Sequence, residues 1–334
     1  MKNYAALLLM LAGVALLTTA AGRTRPPLAL SVSGNKLVNG SGKAVQLRGV
    51  NRSSFEYACS QGWGFYEGPV DAAAIAAMKT WKINVVRIPL NEACWLGLPG
   101  ISPAYRGSLY RQQVTGFVKR LHAAGLYVIL DLHWNAPGKA ETHQRRMPDA
   151  DHSPAFWKSI ARTFRHDRAI VFDLYNEPHN VSWRCWRDGC GPWTGMQSLV
   201  NAVRSTGAKQ PLMLGGLAWS NDLSQWLKWK PKARGLIASF HLYDFNACSS
   251  SACWKRTVGK VARSAPVVTG ELGEGDCEHG FIDKYMRWAD GRRISYLGWT
   301  WNVWNCFNGP ALIEDYEGTP TPFGAGFRNH LRAR

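Results

Sequence analysis

Eight times along the chain a short run of β-branched and apolar residues gives way to polar ones, and between these runs lie stretches with helical spacing. No other feature restricts the fold as much. The apolar runs are Gln46 to Val50, Asn84 to Pro89, Tyr127 to Leu132, Ile170 to Tyr175, Leu212 to Leu214, Leu236 to Phe240, Pro266 to Thr269 and Ile294 to Trp299. The stretches Asp71 to Thr80, Leu109 to Ala124, Ala155 to Phe164, Met196 to Ser205, Asp222 to Leu227, Trp254 to Ala262 and Phe281 to Asp290 read as helices. Continuous apolar strands alternating with amphipathic helices build a parallel sheet. Eight such units in roughly 300 residues predict an α/β protein closed into a (β/α)₈ TIM barrel. An open doubly wound sheet is the alternative, but its Gly-rich phosphate turn is not visible, since Gly270, Gly273 and Gly275 have the wrong spacing. Upstream, Ala29 to Val50 alternates apolar and polar residues around the turn signals Gly34-Asn35 and Asn39-Gly40, predicting a short β-hairpin.

Residues 1–21 read as a signal peptide, with Lys2, an apolar run from Ala5 to Leu17 and the small residues Thr19-Ala20-Ala21. The run is short of the ~20 residues that span a bilayer. Export is therefore expected, to the extracellular space or periplasm, with no membrane association after cleavage, and residues 22–334 are expected to form one catalytic domain. Eight cysteines in an exported chain predict disulfide-bonded loops. The simplest pairing joins Cys185 to Cys190 and Cys248 to Cys253, with Cys59 to Cys94 and Cys277 to Cys306 completing the set. A zinc site is the rival reading, yet no cysteine pair or histidine cluster has metal-ligand spacing. No metal or cofactor is expected. The formal charge of +17 raises nucleic acid as a partner. Lys and Arg are scattered along the chain and no nucleic-acid motif is present, so a soluble basic surface is the simpler reading. A monomer is expected. Asn39, Asn51 and Asn180 open Asn-x-Ser sequons.

In a barrel of this kind, functional groups gather where strands end. Here the runs end in Arg87-Ile-Pro-Leu-Asn91, Asp131-Leu-His133-Trp134, Tyr175-Asn176-Glu177-Pro178, His241-Leu-Tyr243, Thr269-Gly270-Glu271 and Trp299-Thr-Trp301-Asn302. Taken singly, each has an ordinary explanation, such as a helix-start carboxylate or a structural ion pair. Together, Glu177 after the fourth strand and Glu271 after the seventh bring two carboxylates across one mouth. Retaining glycosidases need that arrangement, with the carboxyl groups ~5 to 5.5 Å apart. The charge of the ionised partner is expected to raise the pKa of the acid.

This ordered set resembles glycoside hydrolase family 5, a cellulase-rich family, over nearly the whole mature chain, including Leu47-Arg48-Gly49-Val50-Asn51. The resemblance implies Glu177 as acid/base and Glu271 as nucleophile. It implies that Asn176 binds the sugar 2-hydroxyl, that Arg87 and Tyr243 position Glu271, and that His133 and His241 line the same subsite. Trp299 would be the stacking platform, with Trp301 the competing assignment on the same strand parity. Trp134 stands where many relatives have a second His, and the insertion Asn180 to Trp193 adds tryptophans and a disulfide.

Of the sixteen tryptophans, Trp63, Trp95, Trp134, Trp183, Trp186, Trp193, Trp219 and Trp304 fall in expected loops, and about half of these are expected to stack on sugar faces. Trp81, Trp157, Trp226, Trp229 and Trp288 fall on expected helices and read as packing residues. An aromatic-lined cleft favours endo action on a polysaccharide. The family prior is β-1,4-glucan, with mannan, xyloglucan, xylan and mixed-linkage glucan open. A carbohydrate-binding pseudoenzyme is the reading from another class, opposed by the intact glutamates. Serine and metal hydrolases lack their motifs here.

Overall fold

The computed structural model describes residues 28–139, 141–307 and 309–334. The expected signal peptide lies outside the described residues. Eight strands form a closed, all-parallel barrel: β1 Arg48–Asn51, β2 Val85–Asn91, β3 Tyr127–Trp134, β4 Ile170–Asp173, β5 Leu212–Gly215, β6 Leu236–Tyr243, β7 Val267–Gly273 and β8 Ser295–Gly298. Closure comes from pairing of β4 with β5 and of β8 with β1. The return helices are α1 Ala72–Thr80, α2 Ser108–Ala123, α3 Ser153–Thr163, α4 Met196–Arg204, α5 Trp226–Trp229, α6 Val258–Ala262, α7 Gly280–Asp290 and α8 Pro322–Arg332.

The alternation in sequence therefore yields the expected barrel, with differences at its edges. The fifth helix shrinks to one turn, because Asp222 pairs back with Leu217 in a bridge and its side chain caps Ser224. The sixth breaks at Thr257 into Ser251–Arg256 and α6. Strands β6 and β7 run several residues further than the apolar pattern, since the polar residues at their ends remain paired across the ladder.

Side chains alternate along each strand with period two. Val85, Ile129, Val171 and Ile237 point into the lower barrel, where with Leu47, Tyr127, Met213, Val268 and Leu297 they form an apolar cluster. The N-terminal segment, Leu30–Ser33 paired with Lys36–Asn39 and then Ala44–Val45, closes that end by burying Leu30 and Leu37 against the cluster. Two residues further along the same strands stand Arg87, Asp131, Asp173 and Ser239, and two further again His133 and His241. A dry floor thus supports a polar layer that opens at the C-terminal mouth. Four disulfides tie the loops, joining Cys59 to Cys94, Cys185 to Cys190, Cys248 to Cys253 and Cys277 to Cys306. They are the pairs suggested by the sequence.

Candidate active site

Arg87, fully buried on β2, organises the mouth. Its guanidinium donates to Glu271 Oε1 at 2.9 Å, Asn51 Oδ1 at 3.0 Å, Asn176 Oδ1 at 2.8 Å and Asp173 Oδ2 at 3.0 Å, and it lies 3.0 Å from Asp131 Oδ2. Burial alone would pull its pKa down; Asp131, Asp173 and Glu271 outweigh that and raise it. One cation faces three carboxylates. Burial pushes Asp131 up to about 8 against the pull of Arg87, with Glu271 and Glu177 adding to the rise.

Glu271 is held at both oxygens, by Arg87 at Oε1 and by the Tyr243 hydroxyl, which donates to Oε2 at 2.7 Å. Glu177 is also held at both. His241 Nδ1 lies 2.9 Å from its Oε1, and Gln144 Nε2 donates to Oε2 at 2.5 Å. Ligand atoms of Glu177, His241 and Glu271 all lie within 4.8 Å of one another. Burial is the leading cause that raises the Glu177 pKa, opposed by Gln144 and His133. This corrects the expected cause: removal from water, not the neighbouring carboxylate, does most of the work.

Both histidines are held neutral. Burial lowers His241 to about 3 and lowers His133 as well. A neutral His241 donates through Nδ1 to Glu177, leaving Nε2 bare beside Gly270. A Cβ at position 270 would stand 2.9 Å from that Nε2 and 3.0 Å from Ser239 Oγ, so glycine is what lets the ring lie there. His133 donates through Nδ1 to Asp131 Oδ2 at 2.6 Å, and its Nε2 accepts from Asn176 Nδ2 at 3.3 Å. With Asn176 Oδ1 taken by Arg87, the amide of Asn176 has only one orientation.

A pocket of about 610 Å³ opens above these groups, with His133, Asn176, Glu177, Tyr243, Glu271 and Trp299 in its wall. The Trp299 ring stacks on His133 at 5.6 Å and 16°. His241 does not reach the pocket; it sits behind both carboxylates. Trp301 is no alternative to Trp299. Strand β8 ends at Gly298, so the alternation used to place Trp301 does not extend to it, and its ring is fully buried edge-on to Trp81 at 4.8 Å. Trp134 faces an adjoining depression of about 520 Å³, packed near Tyr57 and His143.

The expected loop tryptophans divide. Trp95, Trp183 and Trp186 lie in short helices and are buried. Trp63 and Trp219 are exposed near the mouth, Trp219 stacked on His179 at 4.7 Å. Trp193 packs against the core, and Trp304 donates to Glu67. Trp229 and Trp288 are only partly buried, and Asn51 is fully buried, closing its sequon to a glycan. Sequence reasoning missed Gln144, which sits in a loop without a motif, and Phe245, exposed and stacked on Tyr243 at 5.2 Å. Asn51, Asp131 and Asp173 were also missed as site residues, although their strand parity with Arg87 and His133 marks them as inward-facing.

Among the described residues two clusters have cation-ligand spacing, Glu177 with His241 and Glu271, and Glu92 with Asp149 and His152. In the first, Arg87 already supplies the positive charge. In the second, the Glu92 carboxyl accepts from Ser153 and Ala136, and burial followed by Asp149 raises its pKa, as in a proton-sharing pair.

Comparison with known proteins follows the same lines. An endoglucanase of Microbulbifer is 24% identical over 91% of this chain, which spans 58% of that protein's length. A mannan endo-1,4-β-mannosidase of Streptomyces lividans is 22% identical over 82% of this chain and 66% of its own. A β-glucanase of Saccharophagus degradans, solved with cellotetraose, superposes with a TM-score of 0.73 at 20% identity, covering 92% of this chain and 94% of that one. The family model of the cellulases, glycosyl hydrolase family 5, matches residues 38–305. The chain belongs to the cellulase family, glycosyl hydrolase family 5.

Proposed function

We propose that this protein is an exported, retaining, endo-acting glycoside hydrolase that cleaves β-1,4-glucan. The observation that carries the proposal is the pair Glu177 and Glu271, with oxygens within 4.8 Å and both carboxylates fixed by different partners. That spacing suits direct attack by one carboxylate; an inverting site holds its carboxyl groups about 6.5–9.5 Å apart to admit a water.

In the first step Glu177, protonated, gives its proton to the glycosidic oxygen while a Glu271 oxygen attacks the anomeric carbon. The carbon–oxygen bond to the leaving chain breaks and a glycosyl ester of Glu271 forms. In the second, Glu177 as carboxylate takes a proton from water, whose oxygen attacks the anomeric carbon and frees Glu271. Arg87 and Tyr243 hold the nucleophile in place. Burial keeps Glu177 protonated at higher pH than an ordinary glutamic acid. Asn176 presents its remaining amide N–H to the 2-hydroxyl, and Trp299 lies under the sugar ring.

Exposed Trp219 and Phe245 on one side of the carboxylate pair, with Trp63 and Trp134 on the other, support binding along a polymer and cleavage within it. Likeness to an endoglucanase and to a β-glucanase solved with cellotetraose favours β-1,4-glucan, and the match to a mannan endo-1,4-β-mannosidase makes β-mannan the second reading. Export rests on residues 1–21, read as a signal peptide.

Proton NMR of fresh product is expected to show the β-anomer first; an initial α-anomer would sink the retaining mechanism. Glu177→Gln and Glu271→Gln are each expected to abolish hydrolysis with the fold intact. A panel of soluble polysaccharides scored for reducing ends decides between glucan and mannan.

A further inference from the structure

Lysines and arginines that look scattered in the sequence are gathered by the fold at one pole. Each helix of the barrel ends at the base, opposite the catalytic mouth. The last helical turns and the links into the next strands are residues 79–84, 120–126, 162–169, 204–211, 230–235, 260–266, 287–294 and 328–334. They carry 19 of the 40 Lys and Arg but only two of the 23 Asp and Glu, Asp167 and Asp290. Asp167 is taken by His122 and Asp290 by Arg48, His330 and Arg334. Of these nineteen cations, Arg334 is the only one ion-paired among the described residues.

Complementing the helix dipole asks for about one cation per helix end. Arg204, Arg292 and Arg332 serve that purpose, donating to carbonyls at 3.0 to 3.1 Å. Arg165, Arg168 and Lys209 do not. They are exposed and line one depression of about 740 Å³ between the N-terminal strands and the links into β4 and β5, with no carboxylate in its wall. At its floor Gln210 donates to the carbonyls of Phe164, Arg165 and Asp167, which fixes its amide and leaves Oε1 buried without a donor.

We infer that the base of the barrel is a binding surface for an extended carboxylated polysaccharide, centred on Arg165, Arg168 and Lys209. Guanidinium and ammonium groups pair with the carboxylates, and a sugar hydroxyl supplies a donor of the kind that Gln210 Oε1 lacks. A lipid surface fits less well. Among the described residues the exposed large apolar side chains Trp63, Leu109, Trp219, Phe245, Val303 and Phe307 all belong to the mouth end, so the base has nothing to insert between lipids. The surface would hold the enzyme on acidic matrix material with its mouth facing outward, whatever polymer the mouth cuts.

The test is affinity electrophoresis of the protein in gels containing polygalacturonate, with neutral dextran as control. Retardation in polygalacturonate alone is expected, lost in about 0.5 M NaCl. Combining Arg165→Glu, Arg168→Glu and Lys209→Glu should weaken binding about a hundredfold while leaving hydrolysis of soluble neutral glucan unchanged. If that variant does not fold, the corresponding three Gln substitutions and the salt titration of the parent serve instead. Absence of retardation, binding that ignores the substitutions or the salt, or equally tight binding of duplex DNA or phosphatidylglycerol vesicles overturns the inference. A parent that binds polygalacturonate but cuts no glucan upholds the base and refutes the reading of the mouth; the reverse result refutes the base alone.

Discussion

Gln144→Met tests the acid assignment through a residue that carries no proton itself. The Gln144 amide donates to Glu177 Oε2 at 2.5 Å and thereby favours the carboxylate over the acid. A methionine of similar volume removes the donor, favours the protonated form and raises the Glu177 pKa further. A hydrogen bond to a charged group contributes about 1.5–3 kcal/mol, and one pKa unit corresponds to about 1.4 kcal/mol. The Glu177 side chain keeps 14% of its surface exposed, so water recovers part of the loss. The net shift expected is about 0.5–1 unit. Activity against pH requires Glu177 protonated, so the alkaline limb of kcat/KM should move upward by that amount while the acidic limb stays. The assay is a pH profile on a soluble β-glucan, run beside a dinitrophenyl glycoside whose leaving group needs no proton. For the activated substrate the alkaline limb should hardly move. An alkaline limb that stays fixed or moves down on the polysaccharide would refute the reasoning, because Glu177 would then not be the proton donor.

Trp299→Ala should lower kcat/KM by about tenfold or more with little change in Tm, whereas Trp301→Ala, which empties a buried site beside Trp81, should cost about 3–5 kcal/mol of stability; calorimetry and kinetics on the two variants separate platform from core. Gly270→Ala drives a methyl to within 2.9 Å of His241 Nε2, so it should displace the ring that holds Glu177 and reduce kcat far more than it reduces Tm. Asp290 is held down at about 2 by His330 and Arg48 despite its partial burial, so its contribution is present in full above about pH 4 and is lost as pH falls toward 2. Asp290→Asn should cost about 1 kcal/mol at neutral pH, discounted for the exposure of Arg334 and Arg48, and the difference from the parent in urea melts should vanish near pH 2.

The barrel and the outer ring of its site were legible because both obey short-range rules. Apolar runs announce strands, and the polar residues that end them announce the mouth, so Arg87, His133, Asn176, Glu177, His241, Tyr243, Glu271 and Trp299 all come from strand ends. What failed depended on where a strand stops. Trp301 shares parity with Trp299 only if β8 continues past Gly298, and it does not. Trp95, Trp183 and Trp186 lie in segments that look like loops but fold into short helices whose apolar faces are buried. Gln144 was invisible for the opposite reason: it reaches Glu177 from a loop whose path is set by contacts such as the Asn135–His143 bridge and the Tyr175 hydroxyl, not by its own residue pattern.

The same period-two geometry explains why the site is so highly charged inside an otherwise apolar barrel. Val85, Ile129 and Val171 lie one step below Arg87, Asp131 and Asp173, so the change from dry floor to charged layer occurs within a single pleat. Below that pleat a carboxylate would have no partner; above it, Arg87 is surrounded by three. Burial favours a proton on Asp131, and the negative charge of Glu271 and Glu177 adds to it, whereas on Glu177 burial is the cause that favours the proton. Arg87 contacts Glu271 directly and Glu177 not at all, so of the two glutamates its charge acts more strongly on Glu271, the proposed nucleophile. The proposed separation of acid from nucleophile thus rests on which of the two glutamates Arg87 contacts, and moving the arginine's charge should disturb Glu271 before it disturbs Glu177.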